Sequence, residues 1–217
     1  MNLALAMTLA RLMKTENYPA YEYRIRFCWW GAEEIDLLGS DYFVKQAQVE
    51  TRVGERLTDF LVYLNYDMLA SPNYMFGIYD GESVKNRSLT STIAGSRRLT
   101  SMFRNWFNQQ NLPWTSTNFS GYSDYAAFLR EGIACGGLHS GSAEIKSKDE
   151  RNSYWSVLGT TYGGISGIAY DPCYHRACDT IENINLFALE KMTRAAAHIL
   201  ESLGNQHHLR EWLYYSD

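Results

Sequence analysis

Apolar residues along this chain recur at two spacings, and the alternation between them predicts the elements. In MNLALAMTLARLMK, at the start, Leu5, Leu9 and Leu12 fall at helical spacing and predict an amphipathic helix. The stretch lacks the marks of a secretory leader, since no basic residue precedes the apolar run, Arg11 interrupts it and no small-residue cleavage site follows. YEYRIRFCWW, residues 21–30, alternates and is rich in β-formers, which predicts a strand that becomes fully buried at its end. Gly39 and Ser40 then open a helical pattern, DYFVKQAQV. DFLVYLNYDM, residues 59–68, is a continuous apolar strand of the kind covered on both faces, and Pro72 stops it. A third strand is predicted over 74–81, a helix over 89–110 and a buried strand over 132–138. Leu186–Gly204 carries apolar residues at i, i+3 and i+4 and ends on glycine, as a terminal helix does. Residues 136–161, rich in Gly, Ser, Asp and Glu, read as a long loop or two, and His207 and His208 as an exposed polar tail.

Strand, helix, strand, helix argues for an α/β sheet with helices on both faces. The 217 residues, without repeat, low-complexity stretch or linker, fit one domain spanning 1–217. Charged residues are 20% of the chain and the formal net charge is −4, with no Lys/Arg block, so nucleic acid is not an expected partner. No apolar run approaches the roughly 20 residues that span a bilayer. Cys173 and Cys178 bracket CYHRAC, where a metal clip and a short disulfide compete. Zinc clips usually come in pairs and no second pair exists, which favours the disulfide and an oxidising compartment. Two N-x-S/T sequons, at Asn86 and Asn118, agree with such a compartment.

In open α/β sheets the chemistry gathers beyond the carboxyl ends of the strands. The polar residues that follow the predicted strands are Glu33 and Glu34, Asp67 and the loop around Asp124, and YDPCYHRACDT adds His175. Carboxylate oxygens and an imidazole nitrogen suit Zn²⁺, whose bound water loses a proton near neutrality to a neighbouring carboxylate. Each residue also has a plain structural reading. The Glu pair can neutralise a helix N-terminus, Asp67 can close a turn, and Asp179 with Glu182 can form a capping box. His139 reads as a solvent-facing loop residue, and Trp29 and Trp30 as packing beneath the strand end.

Four blocks carry a more specific signal: FCWWGAEEIDLLGS, LNYDMLASPNY, GYSDYAAFLREGIACGGLHSGSAEIKS and YDPCYHRACDTIENIN. In this order they resemble the zinc aminopeptidases related to aminopeptidase Y and the secreted bacterial leucine aminopeptidases. The resemblance implies a three-layer αβα fold around a mixed, mostly parallel sheet, and removal of N-terminal residues from peptides by zinc-activated water. It implies that Glu33 is the general base, and that Glu34 and His175 bind one zinc and Asp67 the other. It further implies that Tyr174 donates to the oxyanion and that Cys173 and Cys178 are disulfide-bonded. Asp124 and Tyr122 fall where substrate is handled, although Tyr122 replaces an arginine found in several relatives. The expected partner is a peptide with a free N-terminus, and the expected location is secreted or vacuolar/lysosomal.

The family's remaining ligands, a His in an H-x-D stretch and a bridging Asp, have no counterpart in this sequence. The expectation is therefore an N-terminally truncated chain that holds one zinc or none and has weak activity. Two other functions remain open: a glutaminyl cyclase on the same fold, and a peptidase-like binding domain without catalysis.

Overall fold

The first apolar pattern does form a helix in the computed structural model, which describes residues 1–85 and 89–215. This is α1 (Asn2–Leu12), which buries Leu9 and leaves Leu12 exposed. α2 (Leu38–Val49) follows, and a single 3-10 turn leads into β1 (Val62–Asp67). β2 (Gly77–Asp80), α3 (Thr90–Gln109), β3 (Thr115–Asn118), α4 (Tyr125–Arg130) and β4 (Ala134–His139) complete the middle of the chain. α5 (Lys148–Tyr162), α6 (Leu186–Gly204) and α7 (Leu209–Tyr214) close it. The sequon at Asn86 lies outside the described residues.

The strands form a four-stranded mixed sheet in the order β1-β4-β2-β3. β1 with β4 and β2 with β3 are parallel pairs, while β2 meets β4 antiparallel. Side chains of β4 alternate between two layers, as strand geometry requires. Ala134 and Leu138 pack with Leu99 and Phe103 of α3 and Met192 and Ile199 of α6. Cys135, between them, faces Val44 of α2 and Phe128 of α4. The sheet is thus covered on both faces, which is why β1 and β4 read as continuous apolar runs. Gly136 and Gly137 are required where they stand. A Cβ at Gly136 would sit 2.8 Å from the Leu99 Cβ, and one at Gly137, whose φ is 140°, would sit 1.9 Å from the Asn65 carbonyl oxygen.

Several elements depart from the sequence pattern. Residues 21–30 form no strand, and among the described residues no backbone group from 19 to 31 bonds to another backbone group. The β-rich alternation keeps them extended, but a strand needs a partner backbone and none is present. Residues 148–162, predicted as loop, form α5, which buries only Tyr154 and so shows no apolar period. Its start is marked instead by Ser147, whose hydroxyl accepts from the Glu150 amide at 3.0 Å. β3, α4 and α7 are short and carried no signal, and α7 makes the His207 and His208 region a connection between helices rather than a tail. Thr180, not Asp179, caps the turn at Ile181–Asn183, and Asp179 accepts from Asn183 Nδ2 at 3.1 Å. Trp30 packs as expected, tilted against Phe43 and Phe128 with its Nε1 on the Tyr63 hydroxyl at 2.9 Å, whereas Trp29 is 62% exposed.

The loop after β1 is tied down by segments far along the chain. The Met68 carbonyl accepts from the Ser140 amide, and the Asn73 amide bonds to the Tyr170 carbonyl at 2.9 Å. Asn185 caps α6 through the Ala188 amide at 3.0 Å. Its own amide reaches the Ala70 carbonyl at 2.9 Å, and its Nδ2 the Pro72 carbonyl at 3.1 Å.

Candidate active site

Three chain segments carry the candidate groups to one end of the sheet, and each bends through an uncommon backbone conformation to do so. Ala32 precedes the Glu pair with φ 55°, Met68 follows Asp67 with φ 53°, and His175 itself has φ 56°. Non-glycine residues hold this region only where the surroundings impose it, and such positions cluster at functional sites. The disulfide between Cys173 and Cys178 encloses Tyr174 and His175 and fixes their loop. The Cys173 amide is held at 2.9 Å by Asp171, a buried carboxylate that also accepts from Asn183.

Glu34 Oε1 and His175 Nε2 stand 2.9 Å apart, so the two loops meet through an acid and an imidazole. The Tyr174 ring lies 4.0 Å from the His175 ring. Asp67, at the carboxyl end of β1, stands apart from that pair and is held differently. Its Oδ2 accepts from Ser123 Oγ at 2.8 Å, and Ser123 Oγ accepts in turn from Asn65 Nδ2 at 2.9 Å. The Asp67 carbonyl faces His139 Nδ1 at 3.0 Å, so His139 is half-buried beneath the site and not solvent-facing. Ser123 was not singled out in the sequence, although it adjoins Asp124 in GYSD and a hydroxyl beside an acid is the available signal. Asp124 is buried with one oxygen unpartnered, and burial raises its carboxyl above the usual range. Tyr122 is 87% exposed.

A cleft of about 660 Å³ runs beside β1, and Glu33, Asp67, Ser123 and Asp124 line it. Burial pushes the Glu33 carboxyl up to about 7, and the carboxylates of Asp67, Glu34 and Asp124 push in the same direction against His175. Burial also raises the Tyr174 phenol, with Glu34, Asp67 and Glu33 adding to it. Glu33, Glu34, Asp67, Asp124, Tyr174 and His175 therefore share one electrostatic neighbourhood.

The donor pair Glu34–His175 suits a zinc-type ion in chemistry, one oxygen and one nitrogen. Ligands at 2.0–2.2 Å in a tetrahedron lie about 3.4 Å apart, so a small opening of the 2.9 Å contact admits the ion. The number of donors falls short. Among the described residues no group of three or more His, Cys, Asp or Glu is arranged to hold a metal.

Comparison with known proteins places this geometry in a family. The pattern described as "Peptidase family M28" matches residues 1–200. The chain is 37% identical over 176 residues to leucine aminopeptidase 2 of Trichophyton rubrum, covering 81% of this chain and 32% of that protein. It is 35% identical over 204 residues to the probable leucine aminopeptidase 2 of Aspergillus fumigatus, covering 94% of this chain and 36% of that protein. The chain thus spans about a third of the length of the curated relatives it matches. Among solved structures, BSAP, a zinc aminopeptidase from Bacillus subtilis, superposes with a TM-score of 0.61 at 19% identity, over 94% of this chain and 41% of that one. That likeness supports the three-layer fold with its mixed sheet.

Proposed function

The chain belongs to peptidase family M28, and from that premise we propose that it bears the catalytic groups of an aminopeptidase. The proposed reaction removes the N-terminal residue of a peptide. The observation that carries the reading is the Glu34–His175 contact at 2.9 Å, which joins two distant loops beside Tyr174, within electrostatic reach of Glu33 and Asp67, which line the cleft. The fungal relatives are named as leucine aminopeptidases, which favours hydrolysis over cyclisation of glutamine or a purely binding role.

In this reading Glu33 is the general base. It takes a proton from the attacking water and returns it to the leaving amine, a role worth roughly 10²–10⁴-fold in rate. Tyr174 donates its phenolic proton in a hydrogen bond to the carbonyl oxygen as negative charge develops there. Glu34 and His175 hold a zinc ion, with Asp67 as the ligand offered toward a second. A bound zinc supplies Lewis-acid polarisation and a more acidic water. Asp124 and Tyr122 contribute to substrate handling. Because the described residues offer a donor pair rather than a set of three, the proposal for this chain is at most one loosely held zinc and slow turnover. The disulfide fits an oxidising location, secreted or vacuolar. Among the described residues no helix is long and apolar enough to cross a membrane.

The test is leucyl-p-nitroanilide hydrolysis by the purified chain with added zinc or chelator, alongside elemental metal analysis. Slow, zinc-dependent release with at most one zinc per chain supports the reading. Activity untouched by both chelation and Glu33→Gln overturns the assignment, and two tightly held zincs with brisk turnover overturn the account of this chain.

A further inference from the structure

The sequon Asn118-Phe119-Ser120 has no part in the candidate active site, and the fold sets it at an edge. Asn118 is the last residue of β3, and β3 is an end strand of the sheet. The Thr115 amide donates to the Phe76 carbonyl at 2.9 Å and the Phe119 amide to Ser83 Oγ at 2.8 Å, so both turn inward. The amides of a strand point alternately to its two edges, so Ser116 and Asn118 turn theirs to the open side. Side chains alternate between faces in the same way. Phe119 is buried, stacked on Tyr79 with ring centres 5.0 Å apart and edge-on to Tyr125 at 4.8 Å, and this holds the Asn118 side chain out in solvent.

Nothing in the fold uses that side chain. Asn65, Asn73, Asn183 and Asn185 spend their amides on hydrogen bonds within the molecule, whereas among the described residues that of Asn118 has no partner. The strand itself, TSTN, has neither charge nor proline, two of the means by which an edge strand is kept from pairing with another chain. Its position also leaves the catalytic groups clear. Asp67 pairs with His139, His139 with Gly77 and Gly77 with Thr115, while Asn118 lies three residues further along, roughly 10 Å at the rise of a strand.

We propose that Asn118 carries an N-linked glycan and that this glycan shields the open edge of β3. The co-reactant is a lipid diphosphate-linked oligosaccharide of the secretory pathway. Asn118 Nδ2 forms a bond to the anomeric carbon of the sugar as the bond from that carbon to the diphosphate oxygen breaks. The lipid diphosphate leaves, Nδ2 gives up one proton, and nothing is oxidised or reduced. A glycan at this exposed end displaces no contact, and its hydrated bulk stands where a second chain would have to add. The inference rests on the secreted or vacuolar location proposed above and not on peptidase activity.

For the test, the chain is secreted from yeast behind a leader, and its glycans are released enzymatically in heavy-oxygen water. Each formerly glycosylated Asn is thereby read as a labelled Asp in the peptide masses. The expected result is label at Asn118 in at least half of the molecules, retained in Ser120→Thr and lost in Ser120→Ala. Light scattering on gentle heating then reads the edge. Asn118→Gln and Ser120→Ala are expected to aggregate at least threefold faster than the glycosylated protein. Asn118→Lys, which lacks the glycan but puts a charge on the strand, is expected to stay close to the glycosylated rate. The proposal is overturned if Asn118 is unlabelled, if Asn118→Gln and Ser120→Ala aggregate no faster, or if Asn118→Lys aggregates as fast as Asn118→Gln. Because the leader supplies the location, an unlabelled Asn118 counts against this site alone. The location is judged separately, by whether Cys173 and Cys178 are bonded in protein from its own cells.

Discussion

Lys146 offers the sharpest test of the packing described above. Its side chain is fully buried, its amine donates to the Tyr74 carbonyl at 2.7 Å, and it lies 4.4 Å from the centre of the Tyr154 ring, 5.4 Å from that of Tyr74 and 6.0 Å from that of Tyr170. Burial lowers its amine from the ordinary 10.5 to about 8, against the attraction of Glu150. Taken whole, such a shift corresponds to about 3 kcal/mol of destabilisation while the amine is charged. The nearest ring face, that of Tyr154, favours the cation by about 1–2 kcal/mol and reduces this, which leaves about 1–2 kcal/mol.

The sign follows from proton counts. The unfolded chain keeps this proton to about pH 10.5 whereas the folded chain releases it near 8, so within that window the unfolded state binds more protons and stability rises with pH. Lys146→Met removes the titration and leaves the Tyr74 carbonyl without its donor, a loss of about 1–3 kcal/mol. Urea unfolding of both proteins from about pH 7 to about pH 9.5 cancels the buried tyrosines and Cys135, which the two share. The expected outcome is a near match at neutral pH, with wild type pulling ahead by about 1–2 kcal/mol at the alkaline end. Parallel stability curves would refute a lowered amine at this position.

Three further outcomes follow from the geometry. Glu33→Gln lowers leucyl-p-nitroanilide turnover by roughly 10²–10⁴-fold while zinc content, read by elemental analysis, is unchanged. Asn73→Ala removes the contacts to the Ile165 amide at 2.8 Å, the Ile165 carbonyl at 2.9 Å and the Ala169 carbonyl at 3.1 Å. It costs about 2–4 kcal/mol in urea unfolding and speeds deuterium exchange across residues 163–170, because buried groups lose their partners. Cys173→Ser with Cys178→Ser costs about 2 kcal/mol, as closing so short a loop predicts. It also lowers turnover, since Tyr174 and His175 lose their fixed loop, and thermal melts with the same chromogenic assay read both effects.

The elements that were legible in the sequence are those whose signal is local. α6 has the predicted bounds because its buried residues, from Ala188 through Met192 and Ala195 to Ile199 and Leu203, repeat at helical spacing. β1 lies within the apolar run that predicted it, and β4 overlaps its run but extends one residue further to His139, since both faces of the sheet are covered. α5 was hidden because Tyr154 is its one buried side chain, so only Ser147 and Glu150 betrayed its start. β3 reads TSTN, four residues at the sheet edge with no apolar alternation. Residues 21–30 show the converse, a strong β pattern without a strand, because pairing depends on a distant backbone. At the candidate site the residue types were readable but their partners were not. Nothing in spacing links Glu34 to His175 or Asn65 to Ser123, and His139 looked exposed until β1 was laid beside β4.

The anchoring of the loop after β1 bears on how the molecule is made. Met68, Ala70, Pro72 and Asn73 are restrained by Ser140, Asn185 and Tyr170, all synthesised later. As the chain leaves the ribosome, the turn beyond Asp67 therefore lacks its full set of holds until the start of α6 has emerged and Asn185 can grip both the loop and the helix. Contacts this remote in sequence form slowly. The carboxylate at the end of β1 is thus translated well before the contacts that set it in place, which makes this turn a natural point for chaperones or proteases to engage a half-made molecule.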